Sequence, residues 1–320
     1  MSGPSTSRPE LKPTVYIPNL NGGEMLALTL ESLAATDAVQ VAVVDNGSED
    51  DSVAMLGTRF PEVELIALPQ NIGFGRALNL AVDRVPGDPL IFLNNDVECE
   101  PGFLEALLAA QGEGVASVAG VLVQRDAPDL IDSAGVTVEG DTLMAFDYLH
   151  GESVEGLRSA PAPLGPTGGA ALYRRDAFTS VGGFDERIFV YYEDVDLALR
   201  MRAAGHECVL APDARALHAF SATLGSRSGA KFEMTGWSRG YLMRRYGVTR
   251  SSGRAVRALF CEAAICAGQL ARARTGRGLR GRVRGFRAAR GLPRRQLPES
   301  SLLIDLTVAE RLRMRAGRNR

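Results

Sequence analysis

Val39-Gln40-Val41-Ala42-Val43-Val44-Asp45-Asn46-Gly47-Ser48 is an apolar run of the kind that strands buried on both faces of a parallel sheet require, cut off by a polar turn. A helix is expected to follow, with Glu49, Asp50 and Asp51 in its first turn, where the helix dipole favours carboxylates. The same alternation extends on both sides. Residues 14–17 read as a strand that runs into Pro18-Asn19-Leu20-Asn21-Gly22-Gly23, and a helix over 24–35 carries Leu26, Leu30 and Leu33 on one face. Downstream come a strand over 63–67, a helix over 75–82, and a strand at 90–93 that stops at Asn94-Asn95-Asp96. Residues 115–123 and 170–173 read as further strands, and residues 125–165, rich in Gly, Pro and acids, as an insertion or mobile loop. Strands alternating with helices predict an α/β domain, mostly parallel, whose polar residues collect beyond the carboxyl ends of the strands.

The chain has 320 residues, of which 45% are apolar, enough for a sizeable core without covalent staples. Its four cysteines (Cys99, Cys208, Cys261, Cys266) lack CxxC spacing and read as free thiols in a reducing compartment, with no structural zinc site. Residues 1–13 are polar, rich in Ser and Pro, and expected to be disordered, with no signal-peptide core. No apolar run approaches the roughly 18 residues of a membrane span, so a cytoplasmic protein is expected. The net charge of −2 conceals a division. Residues 1–243 hold 16 Lys+Arg against 34 Asp+Glu, whereas residues 244–320 hold 20 Arg against 4 acids. An acidic body carries a basic tail.

Several constellations carry chemistry. Nothing matches the phosphate-binding GxxxxGK[ST] loop, and Gly73-Phe74-Gly75 lacks the third glycine of the dinucleotide fingerprint, so NAD binding is discounted. Asp45, at a strand end, either caps a helix or accepts hydrogen bonds from a nucleoside hydroxyl; Asn46 or Ser48 would free it by capping instead. Asn94-Asn95-Asp96 offers hard oxygens suited to Mg²⁺ or Mn²⁺, and His218, at the end of another apolar run, is a second candidate ligand for Asp96's metal. Gly182-Gly183-Phe184-Asp185-Glu186 is followed by Tyr191-Tyr192-Glu193-Asp194-Val195-Asp196, which places three carboxylates where a helix begins. They suit the helix dipole or a catalytic role.

Taken in order, Pro18-Asn19, Asp45-Asn46-Gly47-Ser48, Asn71-Ile72-Gly73-Phe74-Gly75, Asn94-Asn95-Asp96, Gly168-Gly169-Ala170, Gly182-Gly183-Phe184-Asp185 and Glu193-Asp194-Val195-Asp196 resemble the family-2 glycosyltransferases, in particular the rhamnosyltransferase-like branch of bacterial cell-surface polysaccharide synthesis. The resemblance covers residues 14–247. It implies a GT-A fold, a single Rossmann-like nucleotide-binding domain with a mixed central sheet, and inverting transfer of a sugar, rhamnose by the branch, from a nucleotide-diphosphate donor such as dTDP-rhamnose to a glycan or lipid-linked acceptor. By position, Pro18, Asn19 and Asp45 would line the nucleoside pocket, with Asn71 and Arg76 near the base or phosphates. Asn95, Asp96 and Gly169 would meet the donor, Asp185 would hydrogen-bond the donor sugar or shape its loop, Asp96 with His218 would hold Mn²⁺ or Mg²⁺, Asp194 would be the base, and Glu193 of the same acidic pair would orient the acceptor or the helix. The first acid of the DxD-like element is replaced by Asn94, so Asp96 alone keeps the charge. A nucleotidyltransferase and a non-catalytic binding protein are the competing classes. The first would want basic residues in its N-terminal phosphate loop, and 19–23 has none.

The tail, residues 248–320, is expected to form an Arg-rich amphipathic helical segment. Val256, Leu259, Phe260, Ala263, Ala267 and Leu270 recur at helical spacing, then Leu279, Val283 and Phe286, with five glycines (Gly276, Gly278, Gly281, Gly285, Gly291) expected to weaken any long helix. With only Phe260 and Phe286 as interleaved aromatics, nucleic acid is disfavoured as a partner. A solvated segment and an interfacial element on an anionic membrane are the other two readings, and the second suits a lipid-linked acceptor at the inner membrane face.

Overall fold

The computed structural model of the protein describes residues 11–34, 39–218, 228–300, 302 and 307. The expected disordered N-terminus therefore lies largely outside the described residues, as does most of the tail beyond 300. The first half follows the apolar runs: β1 (Thr14–Asn19), α1 (Gly23–Leu33), β2 (Gln40–Asp45), α2 (Ser52–Arg59), β3 (Glu64–Ala67), α3 (Phe74–Arg84), β4 (Leu90–Leu93), β5 (Val97–Cys99) and α4 (Phe103–Ala109). Then come β6 (Val115–Gln124), β7 (Ala127–Ser133), β8 (Val136–Val138), β9 (Ala145–Asp147), β10 (Ala170–Tyr173), α5 (Arg175–Ser180), α6 (Glu193–Ala203) and β11 (Glu207–His218). Three helices close the chain, α7 (Gly229–Arg245), α8 (Ser252–Ala273) and α9 (Arg277–Ala288).

Among the described residues, nine strands form one sheet in the order β3-β2-β1-β4-β10-β6-β11-β5, with β7 paired to β6. The pairs β3/β2, β2/β1 and β1/β4 are parallel, as alternating strands and helices require. β10 breaks the pattern by lying antiparallel between β4 and β6, which makes the sheet mixed. Residues 125–165, expected as an insertion or mobile loop, instead hold β7, the separate β8–β9 ribbon and a 3-10 turn at Val154–Ser159.

The sheet buries apolar side chains on both faces. Val15, Ile17, Val43 and Ile91 point toward α1, α2 and α4, while Tyr16, Phe92 and Tyr173 point toward α3, α5 and α6. On the second face Phe92 meets Tyr16, Tyr173, Phe178 and Phe184 at centroid distances of 5.8, 5.8, 5.5 and 5.4 Å. Phe184 thereby anchors the loop that leads to α6. Asn79 of α3 clamps its backbone, accepting from the Phe184 N–H and donating to its carbonyl, each at 3.0 Å. Gly75 opens the space for this: a Cβ there would lie 2.7 Å from Cβ of Phe184.

The C-terminal helices pack against the body. α7 and α9 cross with almost no side-chain spacer, because Gly240 faces the Arg282 backbone and Gly285 faces the Trp237 backbone. The tail glycines expected to weaken a helix thus include three, Gly278, Gly281 and Gly285, that lie buried inside α9. Close backbone approach outweighs their helix-propensity cost, roughly 1 kcal/mol each. A buried charge cluster ties α7, α8 and the 139–144 turn. Arg239 donates to Glu262 and to the carbonyls of Thr142 and Leu143, and Arg282 also donates to Glu262.

Candidate active site

Polar side chains gather beyond the carboxyl ends of β1, β2, β4 and β11, linked by a continuous set of hydrogen bonds. Asp45, ending β2, is 1% exposed. It accepts from the Ser48 N–H (2.9 Å), the Ser48 hydroxyl (2.6 Å) and the Asn19 amide (3.0 Å). Asp45 is therefore not freed by a cap at Asn46 or Ser48; the start of α2 is served by Asp50, which accepts from the Ser52 N–H. Asn46, which sequence reasoning overlooked as a site residue, donates to Asn71 and to the Gly73 carbonyl and accepts from the Ile72 N–H. It locks the 71–73 loop over the end of β2. Pro18 is buried within β1, and Asn71 and Arg76 are exposed, with Arg76 3.5 Å from Glu186.

The next link runs through Asn95, whose amide donates to the Asn19 side chain at 2.7 Å. Asp96 follows. Antiparallel pairing of β5 with β11 sets Val97 opposite His218, which brings the residue before Val97 to the imidazole. The Asp96 Oδ1 to His218 Nε2 distance is 3.5 Å. Pairing of β7 with β6 sets Ile131 opposite Val123, close to the β6 residue Gln124 that faces His218, and brings Asp132 to the other ring nitrogen. Asp132 Oδ2 lies 2.6 Å from His218 Nδ1, and the Asp132 carbonyl lies 2.7 Å from His150 Nδ1. Burial alone would lower the His218 pKa, but Asp132 and Asp96 outweigh it and hold it at about 9. Burial would likewise raise Asp132, yet His150 and His218 hold it at about 2. The bond to Asp132 raises His150 to about 9. Sequence reasoning assigned neither Asp132 nor His150 a role.

The metal expectation fits this corner. Asp96 Oδ1 is a buried oxygen with no hydrogen-bond partner, facing His218 Nε2, and Asp132 holds the imidazole from behind. A carboxylate oxygen and an imidazole nitrogen that gives up its proton to the ion, with a carboxylate behind it, are a donor set suited to Mn²⁺ or Mg²⁺. Among the described residues no group of three or more His, Cys, Asp or Glu could hold a metal by itself.

The last link crosses to α6. The Asn94 N–H donates to the Gly169 carbonyl at 3.3 Å, and the Gly168 N–H donates to Asp194 Oδ2 at 3.2 Å. Asp194 Oδ1 accepts from the Val195 N–H at 2.7 Å. Tyr191 and Tyr192 precede this turn at φ 67° and 71°, a left-handed conformation that non-glycine residues adopt rarely and mostly at functional positions. Asp194 is half-buried and its carboxyl is pushed up by burial, against the pull of those two N–H donors. Glu193 is buried and pushed up by burial and by the Asp194 charge. The pair is thus poised to hold or take a proton.

Asp185 and Asp196 stand apart from this set. Asp185 accepts from the Tyr241 hydroxyl and Arg295 on one oxygen, and from the backbone N–H and guanidinium of Arg187 on the other. These four donors make Asp185 a brace for the loop that leads to α6. Asp196 is fully buried and accepts from Arg200, Tyr246 and Arg295. Both acids fasten the tail through Arg295.

Comparison with known proteins agrees with this geometry. The glycosyl transferase family 2 description matches residues 14–182. Over 210 residues the chain is 35% identical to the N-acetylglucosaminyl-diphospho-decaprenol L-rhamnosyltransferase of Mycobacterium tuberculosis, covering 58% of this chain and 68% of that protein. Its fold is similar to the mannosyltransferase PcManGT of Pyrobaculum calidifontis, solved with GDP-Man and Mn²⁺ (TM-score 0.53, 17% identity, 96% of this chain and 80% of the other). It is also similar to GalNAc-T7, solved with UDP, GalNAc and Mn²⁺ (TM-score 0.56, 13% identity, 75% and 49%). With this match, the mixed sheet of GT-A type and the polar set at its strand ends, the chain belongs to glycosyl transferase family 2.

Proposed function

We propose that this chain is an inverting glycosyltransferase that moves rhamnose from dTDP-rhamnose, or a similar nucleotide sugar, to a hydroxyl of a lipid-linked glycan. One observation carries the reading. Gly168 and Gly169 connect Asp194 on α6 to the Asn94-Asn95-Asp96 turn by hydrogen bonds, so the candidate base and the candidate metal corner belong to one rigid site.

The acceptor hydroxyl is a weak nucleophile, and Asp194 takes its proton as the oxygen attacks the anomeric carbon. The two backbone N–H donors fix which way the carboxylate faces. Burial keeps that carboxylate basic, and the Asp194 charge in turn holds the buried Glu193 beside it in its protonated form. Asn19 and Asp45 line the nucleoside pocket, whose outer edge is the Asn46–Asn71 pair. Asp96 and His218 would hold a divalent ion, whose charge would neutralise the departing diphosphate. Attack opposite the leaving group inverts the anomeric carbon.

The lipid-linked acceptor is supported by the name of the mycobacterial relative and by the outer face of the C-terminal helices. Val256, Leu259, Phe260 and Leu270 form one stripe on α8, each more than half exposed, and Leu279 and Val283 are exposed on α9. Exposed Arg272, Arg280 and Arg287 lie on the same two helices, a composition suited to anionic headgroups around buried apolar side chains. No helix among the described residues is long and apolar enough to cross a membrane, so this association would be peripheral.

The test is release of nucleoside diphosphate from a panel of nucleotide sugars with Mn²⁺ or Mg²⁺. Selective turnover of dTDP-rhamnose, lost on chelation, is expected. Turnover of another sugar alone would replace the donor assignment. No turnover with acceptor supplied, and no donor-dependent thermal shift, would overturn the reading in favour of a non-catalytic binder.

A further inference from the structure

Beside the segment that leads into α6 lies an open cleft of about 370 Å³ that the transfer chemistry above leaves unused. Trp237, Met234 and Phe189 give it an apolar face. Trp237 stacks on Tyr241 with centroids 5.1 Å apart and planes at 11°, which holds its ring in one orientation. Arg187, Arg277 and Arg284 line the cleft, each with more than half its side chain exposed. Glu233 is the one acid in the lining, and both α9 arginines converge on it at 2.9 Å. Among the described residues Arg187 pairs with Asp185, at 3.5 Å, and Asp185 already holds Tyr241 and Arg295. One shared carboxylate against three guanidiniums leaves a positive surplus next to an aromatic face.

The position is as informative as the composition. Phe189 is common to two compartments: it lines the cleft, while its carbonyl accepts from the Phe74 N–H and its ring edge lies against Gly73 of the 71–73 loop. Val190, anchored by the Ser238 hydroxyl, is four residues before Asp194. Arg277 and Arg284 share α9 with the exposed Leu279 and Val283, so one helix offers both cations and an apolar outer surface.

We propose that this cleft is the acceptor subsite for the diphosphate of an isoprenoid-diphosphate-linked sugar, a proposal that rests on the glycosyl-transfer reading and names its acceptor class. Arg277, Arg284 and Arg187 take the diphosphate by charge-assisted hydrogen bonds, for which the guanidinium fork is suited. Trp237, Phe189 and Met234 pack the groups on either side of it. Glu233 holds the two α9 arginines together until the diphosphate displaces it.

Trp237 is the only tryptophan in the chain, so its fluorescence reports the cleft directly. The probe is farnesyl diphosphate, titrated below its micelle concentration in the absence of donor. A saturable change is expected, absent with farnesol and not displaced by dTDP. The Arg277→Gln/Arg284→Gln protein should bind at least tenfold more weakly, with its Tm within a few degrees of the wild type. Glu233→Gln should bind several-fold more tightly, the opposite of what a merely structural role would give. No change on titration, equal affinity in the double variant, an equal response to farnesol, or displacement by dTDP would each overturn the proposal. A protein that binds the probe as stated yet turns over no donor keeps this site and loses the transfer reading. One that turns over donor but ignores the probe loses this site alone.

Discussion

Asp132 Oδ2 lies 2.6 Å from Nδ1 of His218, which turns the opposite ring nitrogen toward Asp96. A carboxylate behind a metal-binding imidazole fixes its tautomer and raises its basicity, and loss of such a partner costs roughly 10–100-fold in metal affinity. Asp132→Asn should weaken Mn²⁺ binding by about that factor. Electron paramagnetic resonance of free Mn²⁺ in the presence of dTDP measures it without turnover. Unchanged affinity would remove Asp132 from the account.

The glycine crossing of α7 and α9 predicts a steric failure. A Cβ at Gly285 would run into the Trp237 carbonyl, and one at Gly240 into the Arg282 carbonyl, where neither backbone can yield cheaply. Gly285→Ala and Gly240→Ala should each destabilise the protein by about 1–3 kcal/mol, the cost of overpacking. Gly253→Ala, on exposed α8 with nothing within 4 Å, is the control and should not destabilise. Denaturant unfolding separates them, and equal stability of all three would show that the crossing is not tightly packed.

Glu262 predicts a pH dependence. Burial alone would raise its carboxyl, but Arg239 and Arg282 hold it down at about 2, against an ordinary 4.5. A folded pKa below the unfolded one means stability present above pH 4.5 and lost as pH falls toward 2. Glu262→Gln should lose about 3–5 kcal/mol at pH 7, because Arg239 is left buried without its charge partner. It should also show a shallower decline than the wild type between pH 4.5 and the acid limit. Parallel profiles for the two proteins would contradict this.

Much of this arrangement was legible from pattern. The strand bounds at Leu90–Leu93 and Ala170–Tyr173 coincide with the apolar runs, because strands buried on both faces leave an unbroken apolar signature. Strand ends pointed to Asp45, Asp96 and His218, the acidic run at a helix start pointed to Asp194, and the family resemblance supplied Asn19. What pattern could not show was pairing across distance. Asp132 becomes a site residue only because β7 folds back on β6, and no local spacing encodes that. Asp185 read as a contact to the donor sugar or a residue that shapes its loop, and the partners with which it braces that loop, Tyr241 and Arg295, lie 56 and 110 residues away. The α9 glycines read as helix breakers because propensity is local, whereas their use is a tertiary contact with α7.

The central claim is that Asp194 is the base of a transfer site built around an intact donor pocket. The most direct measurement compares wild type and Asp194→Asn in acceptor-dependent release of nucleoside diphosphate, with donor affinity followed separately by calorimetry. Asparagine keeps the shape and can still accept from the Val195 N–H through its carbonyl oxygen, losing only the longer bond from Gly168, so donor Kd should stay within about twofold while kcat falls by roughly 10²–10⁴. Turnover equal to the wild type, with donor bound equally well, would contradict the assignment of Asp194 as the base.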